Sequence, residues 1–355
     1  MTEVVSQEDR IAMTVEPIAI NWHSGLSIFA SESYLRAVGD KYGWLGGIDG
    51  AGRVRCVLPY TIIRKLGVSM VRFRVETIPL EGELDLAGER AFLEGVVGYF
   101  RAGGEDMIIP GTTNTIFRTY PEGAIAAPYG TYVIDLRKSE EQLWSAVHST
   151  NRRNIRNATK RGVTVKVGME YLDVAYALIR DTFRRSRLPF MNRKTFQRII
   201  AGVSDHVKIL VTEYEGVIQY SVVVFYSSYS AYAVYGGSIP NPVDGSTKML
   251  HWHAMRLFRD LGVRRYDLVG SRIDPNRGSK QENLMLYKVR LGAVLSQGYM
   301  WKYVLRPVKS AVYSVAVRLL RGGDIVDNER HKLIEQEMTT IEQSGQWAGT
   351  GSVRE

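Results

Sequence analysis

The run Asn151 to Arg161, NRRNIRNATKR, holds the densest set of ligand-gripping side chains in the sequence. Arg152, Arg156 and Lys160 fall at i, i+4 and i+8, which makes one cationic stripe if the segment is helical, and Arg153 adds a further guanidinium beside it. A fork of guanidinium groups suits phosphate, so Arg152, Arg153 and Arg156 are candidates to hold a phosphate-bearing ligand or RNA; the plainer reading is a solvated helix face. A second cluster, Arg180, Arg184, Arg185 and Arg187, lies on the next expected helix and would widen the same surface.

A different constellation occupies Leu261 to Gly292, LGVRRYDLVGSRIDPNRGSKQENLMLYKVRLG. A helix-ending Gly262 leads into a buried strand that finishes at Tyr266 and Asp267, a polar loop follows, and Tyr287 and Lys288 lie together inside an amphipathic helix. A lysine can stabilise negative charge that develops during a reaction, and a strand-end carboxylate can orient an amine or anchor a loop.

Other chemistries have little support. His251 and His253 are two apart and diverge on a helix, and His23, His148, His206 and His331 lack ligand spacing, so no metal site is expected. There is no G-x-S-x-G, and Cys56, the one cysteine, falls in an expected strand. Gly47 to Gly52 looks superficially like a phosphate loop, but expected strands on both sides make it a hairpin turn.

With 355 residues, 45% of them apolar and 23% charged, the chain can form two ordinary globular domains. The formal charge of +9 points to phosphates, RNA or an anionic membrane face among the partners, and the single cysteine suits a reducing compartment, so the cytoplasm is expected. The N-terminal residues never reach the apolar run of a secretory signal. Residues 216–243 are uncharged but divide into two strand-length halves. From Arg306 to Arg321, apolar residues at helical spacing stand beside Lys309, Arg318 and Arg321, as in a core-packing helix or one in peripheral contact with the inner-membrane face.

Period and punctuation predict helices at 29–42, 89–101, 172–185, 194–203, 246–261 and 282–291, and a linking helix at 139–161 opened by a capping Ser139 and Gln142. Strands are expected at 44–48, 53–63, 71–78, 106–110, 131–136, 207–212, 217–225, 229–235, 265–269 and 295–303. The order helix, strand, turn, strand, strand, helix, strand occurs twice. The expected architecture is therefore α/β with mixed sheets in two similar halves, residues 17–137 and 138–305, and a cleft between them. A tail at 1–16, C-terminal helices at 306–343 and a disordered tail at 344–355 complete the expected organisation.

The doubled order, the run NRRNIRNATKRGV and the Tyr287-Lys288 segment together resemble the FemABX family of bacterial aminoacyltransferases, over roughly Ile28 to Tyr303. The resemblance implies two tandem GNAT-like domains and transfer of an aminoacyl group from aminoacyl-tRNA to a peptide amine of a lipid-linked or nucleotide-linked muropeptide, a peptidoglycan precursor. It implies no covalent enzyme intermediate and no cofactor. Lys288 would stabilise charge on the attacked carbonyl, Tyr287 would stack near the tRNA terminus, and Asp267 and Tyr266 would contribute to orienting and binding substrate. The chain departs from longer members in having no coiled-coil arm, since residues 171–202 offer only two short helices. A GNAT-type acyltransferase using acyl-CoA for envelope sugars is the competing reading, but its Q/R-x-x-G-x-G/A loop fails at Gly245, flanked by Pro242 and Thr247, and at Gly88, flanked by Asp85 and Arg90. A non-catalytic RNA-binding or membrane-surface protein is the third.

Overall fold

A computed structural model describes residues 13–335, apart from 66, 81, 83 and 322. The first half contains β1 (Thr14–Ile18), α1 (Glu32–Val38), β2 (Lys41–Ile48), β3 (Val54–Lys65), β4 (Val68–Phe73), β5 (Ile78–Pro79), α2 (Leu86–Ala102), β6 (Met107–Ile108) and β7 (Ile125–Asp135). Next come α3 (Glu140–Ala146), α4 (Ser149–Lys160), β8 (Thr164–Val167), α5 (Leu172–Arg185), α6 (Arg193–Ala201), β9 (Val207–Tyr214), β10 (Val217–Tyr226) and β11 (Ala231–Ser238). The chain continues through α7 (Ser246–Asp260), β12 (Arg265–Ser271), α8 (Lys280–Arg290), β13 (Val294–Val304) and α9 (Pro307–Arg321).

The α/β class expected from the sequence is the class observed, and its strands join in one sheet rather than in two separate ones. One mixed sheet runs in the order β1-β2-β3-β4-β6-β13-β7-β12-β11-β10-β9-β8, with β5 beside β3. The reason is the length of β13, which pairs through Val294–Lys302 with β7 and then through Tyr303 and Val304 with β6. Although β7 closes the first half in sequence, it is hydrogen-bonded to β12 of the second.

Both halves repeat one device. In the first, β4 and β6 run parallel and pair at Met70–Met107 and Val71–Ile108; in the second, β11 and β12 run parallel and pair at Ala231–Tyr266 and Tyr232–Asp267. A helix, α2 or α7, makes each crossover, as parallel neighbours require. Beyond those two pairs the parallel strands separate, so the backbone at their C-terminal ends is free of ladder bonds to its neighbour.

Alternating and helical apolar positions feed the three largest cores among the described residues. One contains Phe92, Val96 and Phe100 of α2 packed on the first half's sheet, and another contains Leu250, Ala254 and Phe258 of α7 packed on the second's. Between the halves, Phe29 and Leu35 meet Ile179 of α5, Phe196 of α6 and Phe225 and Tyr232 of the sheet. Polar ties cross the same boundary, among them Arg265 to Glu76 at 3.3 Å and Ser27 to Tyr232 at 3.0 Å.

Some expected elements need correction. The helix expected at 29–42 is a 3-10 turn followed by the short α1, because β2 begins at Lys41. The linking helix at 139–161 is two helices, broken where Val147 takes extended backbone and the His148 ring accepts the amide of Thr150. Residues 14–16 of the expected tail lie in β1, and the tail at 344–355 lies outside the described residues. Along α9, Val308 and Val315 are exposed. Among the described residues, no helix is long and apolar enough to cross a membrane.

Candidate active site

Where β12 leaves β11 it also bulges against β7, its register shifting between Asp267 and Gly270. Val269 sits in the bulge at φ 48°, a left-handed conformation that a β-branched residue adopts only under constraint. Asp267 supplies that constraint: its Oδ1 accepts the Val269 amide at 2.7 Å and the Thr131 hydroxyl from β7. Gly270 completes it, because a Cβ there would lie 2.7 Å from the Thr113 carbonyl oxygen.

Helix α8, opened by Ser279 capping the amide of Glu282, brings Lys288 to this bulge in its last turn. The Lys288 Nζ donates to the carbonyl oxygens of Val269 at 2.6 Å and Gly270 at 2.9 Å, and it lies 5.8 Å from the centre of the Tyr132 ring. An ammonium has three N–H donors, so one remains. Burial pulls the Lys288 ammonium down to about 8, against the opposing charge of Asp267. Asp267 is itself 1% exposed, and burial raises its carboxyl above the ordinary range.

Tyr287, the preceding residue, turns into the core of the second half. Its hydroxyl is buried without a hydrogen-bond partner, and its ring meets His251 edge-on at 5.9 Å. His251, on α7, links the hydroxyl of Tyr266 at 2.8 Å to that of Tyr220 at 3.3 Å. Burial, with the Lys288 charge adding to it, holds the His251 imidazole down to about 4, so the ring is neutral at ordinary pH. Tyr266 is fully buried in this network. Lys288, Asp267, Tyr287 and Tyr266 therefore come together, but as an ammonium on a carboxylate-anchored bulge with two tyrosines behind it. His251 joins them, and Thr131, Val269 and Gly270 shape the bulge; nothing in their sequence spacing marks them.

The three candidate arginines of the basic run go elsewhere and part company. Arg152 folds back to donate to the carbonyls of Trp144, Ser145 and Val147, closing the C-terminus of α3. Arg153 is exposed, and Arg156 lies over the Trp144 ring at 5.6 Å. In the second cluster, Arg180 and Arg184 both pair with Asp181. Among the described residues, no group of His, Cys, Asp or Glu could hold a metal ion.

Neighbouring groups crowd the N-termini of the two crossover helices. At α7, Gly245 has φ 92°, and a Cβ there would be 2.3 Å from the carbonyl oxygen of Asn154, so α4 lies directly on that helix end. At α2, the Asp85 carboxylate accepts the amide of Gly88.

Residues 124–216, from the end of the first half to the β9–β10 turn, match the model of the FemAB family. In that segment the FemABX resemblance holds. The solved structure of FemX is 14% identical and superposes with a TM-score of 0.62, covering 84% of this chain and 99% of FemX. A domain assigned as the C-terminal part of a lysylphosphatidylglycerol synthetase of Agrobacterium fabrum is 13% identical, with a TM-score of 0.50 over 81% of this chain and 91% of that one. No curated protein matches the chain in sequence. The FemAB match supports an acyltransferase of the FemABX kind. It takes in Thr131 and the three arginines and ends well before Lys288.

Proposed function

We propose that the chain transfers an aminoacyl group from aminoacyl-tRNA to a peptide amine of a peptidoglycan precursor. The observation that carries this reading is the Lys288 ammonium, fixed by two carbonyls beside the separated end of β12 with one N–H unspent. In the reaction the amine nitrogen attacks the ester carbonyl carbon, and the carbonyl oxygen takes up negative charge. The third N–H of Lys288 stabilises that charge, which is larger in the transition state than in the bound ester. Collapse breaks the bond to the ribose oxygen, which leaves with the proton lost by the amine.

Direct transfer suits a chain whose one thiol, on Cys56, is buried and pushed up to about 12. An ester donor is favoured over acyl-CoA by the helix ends. A pyrophosphate binds readily where a helix N-terminus is open, whereas here Asn154 covers one and a carboxylate occupies the other.

The test supplies purified protein with aminoacyl-tRNA mixtures or acyl-CoA, and with lipid-linked or nucleotide-linked muropeptides as acceptors. Transfer from aminoacyl-tRNA, lost in Lys288→Ala, is expected. Turnover of acyl-CoA alone would replace this reading with the GNAT-type one, and no transfer from either donor would leave a binding protein.

A further inference from the structure

A groove of about 550 Å³ lies between α4 and α7, on the other side of α7 from the Tyr287 network. Trp144 and Trp252 line it with ring centres 4.7 Å apart and planes tilted by 53°, and both rings remain half-buried rather than sealed. Arg156, Lys160 and Arg256 surround them, with Arg156 over the Trp144 face. One carboxylate, Glu140, answers this charge; it pairs with Arg256 at 2.9 Å and with Arg259 at 3.2 Å. Arg156 and Lys160 keep their charge available to a ligand.

We propose that this groove binds a nucleotide unit, a planar base that stacks on the tryptophans and carries phosphate toward Arg156 and Lys160. Two features select this occupant together. Indole rings that line an open groove attract another flat ring, which would stack beside or in place of the Arg156 guanidinium over Trp144, and flanking cations select an anion; each alone would suit many ligands, but a base with its phosphate satisfies both. A flat anionic membrane would meet the surrounding cations while leaving the recessed indoles unused. The nucleotide can come from a single-stranded RNA end or from a free or precursor-linked nucleotide.

Direct titration of the full chain tests this without any chemical step. The probes are a short oligouridylate, UMP and UDP, with inorganic polyphosphate as a charge-only control and phosphatidylglycerol vesicles as a surface control. The expected result is binding of oligouridylate or nucleotide above the polyphosphate control, weakened about tenfold or more in Trp144→Ala and restored by Trp144→Phe. Arg156→Ala with Lys160→Ala should weaken binding and flatten its salt dependence. Tighter binding of the oligomer than of UMP and UDP identifies an RNA strand; equal binding identifies the free nucleotide. Thermal melts of each variant separate loss of binding from loss of fold. Binding equal to that of polyphosphate, binding unmoved by these substitutions, or binding of vesicles alone would overturn the proposal. Lys288→Ala should bind the same probe normally, so failure of this site and failure of the transfer reaction are separately visible.

Discussion

The Nζ of Lys288 lies 2.6 Å from the carbonyl oxygen of Val269, a β-branched residue held at φ 48°. A left-handed valine costs on the order of 1–3 kcal/mol, and here it turns a strand carbonyl out of the ladder toward an ammonium. The bulge and the lysine are thus one device: Asp267 and Thr131 hold the backbone, and the backbone holds the charge.

Removing the ammonium tests that device first. Lys288→Ala should lower kcat by about 10²- to 10³-fold with little change in acceptor KM, because the interaction is strongest in the transition state. Lys288→Arg should recover part of the activity, since its planar fork fits two diverging carbonyls less well than an ammonium does. Full turnover in a folded Lys288→Ala protein would remove Lys288 from the mechanism.

The pH profile gives a sharper signature. Burial holds Lys288 down to about 8, so the charged form needed for oxyanion stabilisation is lost as pH rises through that value, and kcat should fall there. Lys288→Arg, which stays protonated, should lack that descending limb. The Asp267 carboxylate favours the charged lysine, so Asp267→Asn should move the limb to lower pH. A limb that stays in place in both variants belongs to some other group.

His251 makes a prediction about stability. Its folded value of about 4 lies below the ordinary 6.5, so the unfolded chain takes up a proton first as pH falls. The stability it contributes is complete above 6.5 and is lost between 6.5 and 4, by roughly 3 kcal/mol. Chemical denaturation across that window should show His251→Phe less stable than the parent at neutral pH, because two tyrosine hydroxyls lose a partner, and with a shallower pH slope. Parallel slopes for the two proteins would mean that His251 is already free to protonate in the folded chain.

The arginines of α4 should separate cleanly. Arg152→Ala removes three hydrogen bonds to the end of α3 and should lower stability by about 1–3 kcal/mol. Arg153→Ala should leave the melting temperature unchanged, since the side chain is exposed. Equal melting temperatures for the two variants would return Arg152 to the role of a free surface cation.

Local chemistry was legible in the sequence wherever near neighbours settle the conformation. Helix α5 occupies the expected Leu172–Arg185, the Ser139–Gln142 capping box forms, and Gly47 to Gly52 is part of a strand and turn rather than a phosphate loop. The apolar period and the capping residues act within a few positions of themselves, so they need no distant partner. The doubled order of elements likewise showed two related α/β halves. What the tertiary structure alone decided is which segments meet across long separations. It placed β7 beside β12, ran β13 through both halves, turned Arg152 back onto α3 and set Lys288 on the bulge that Asp267 and Thr131 anchor. Those choices depend on which strand edge or carbonyl lacks a partner once the cores are packed, because leaving a buried polar group unpaired is costly. No local pattern of residue types records that demand.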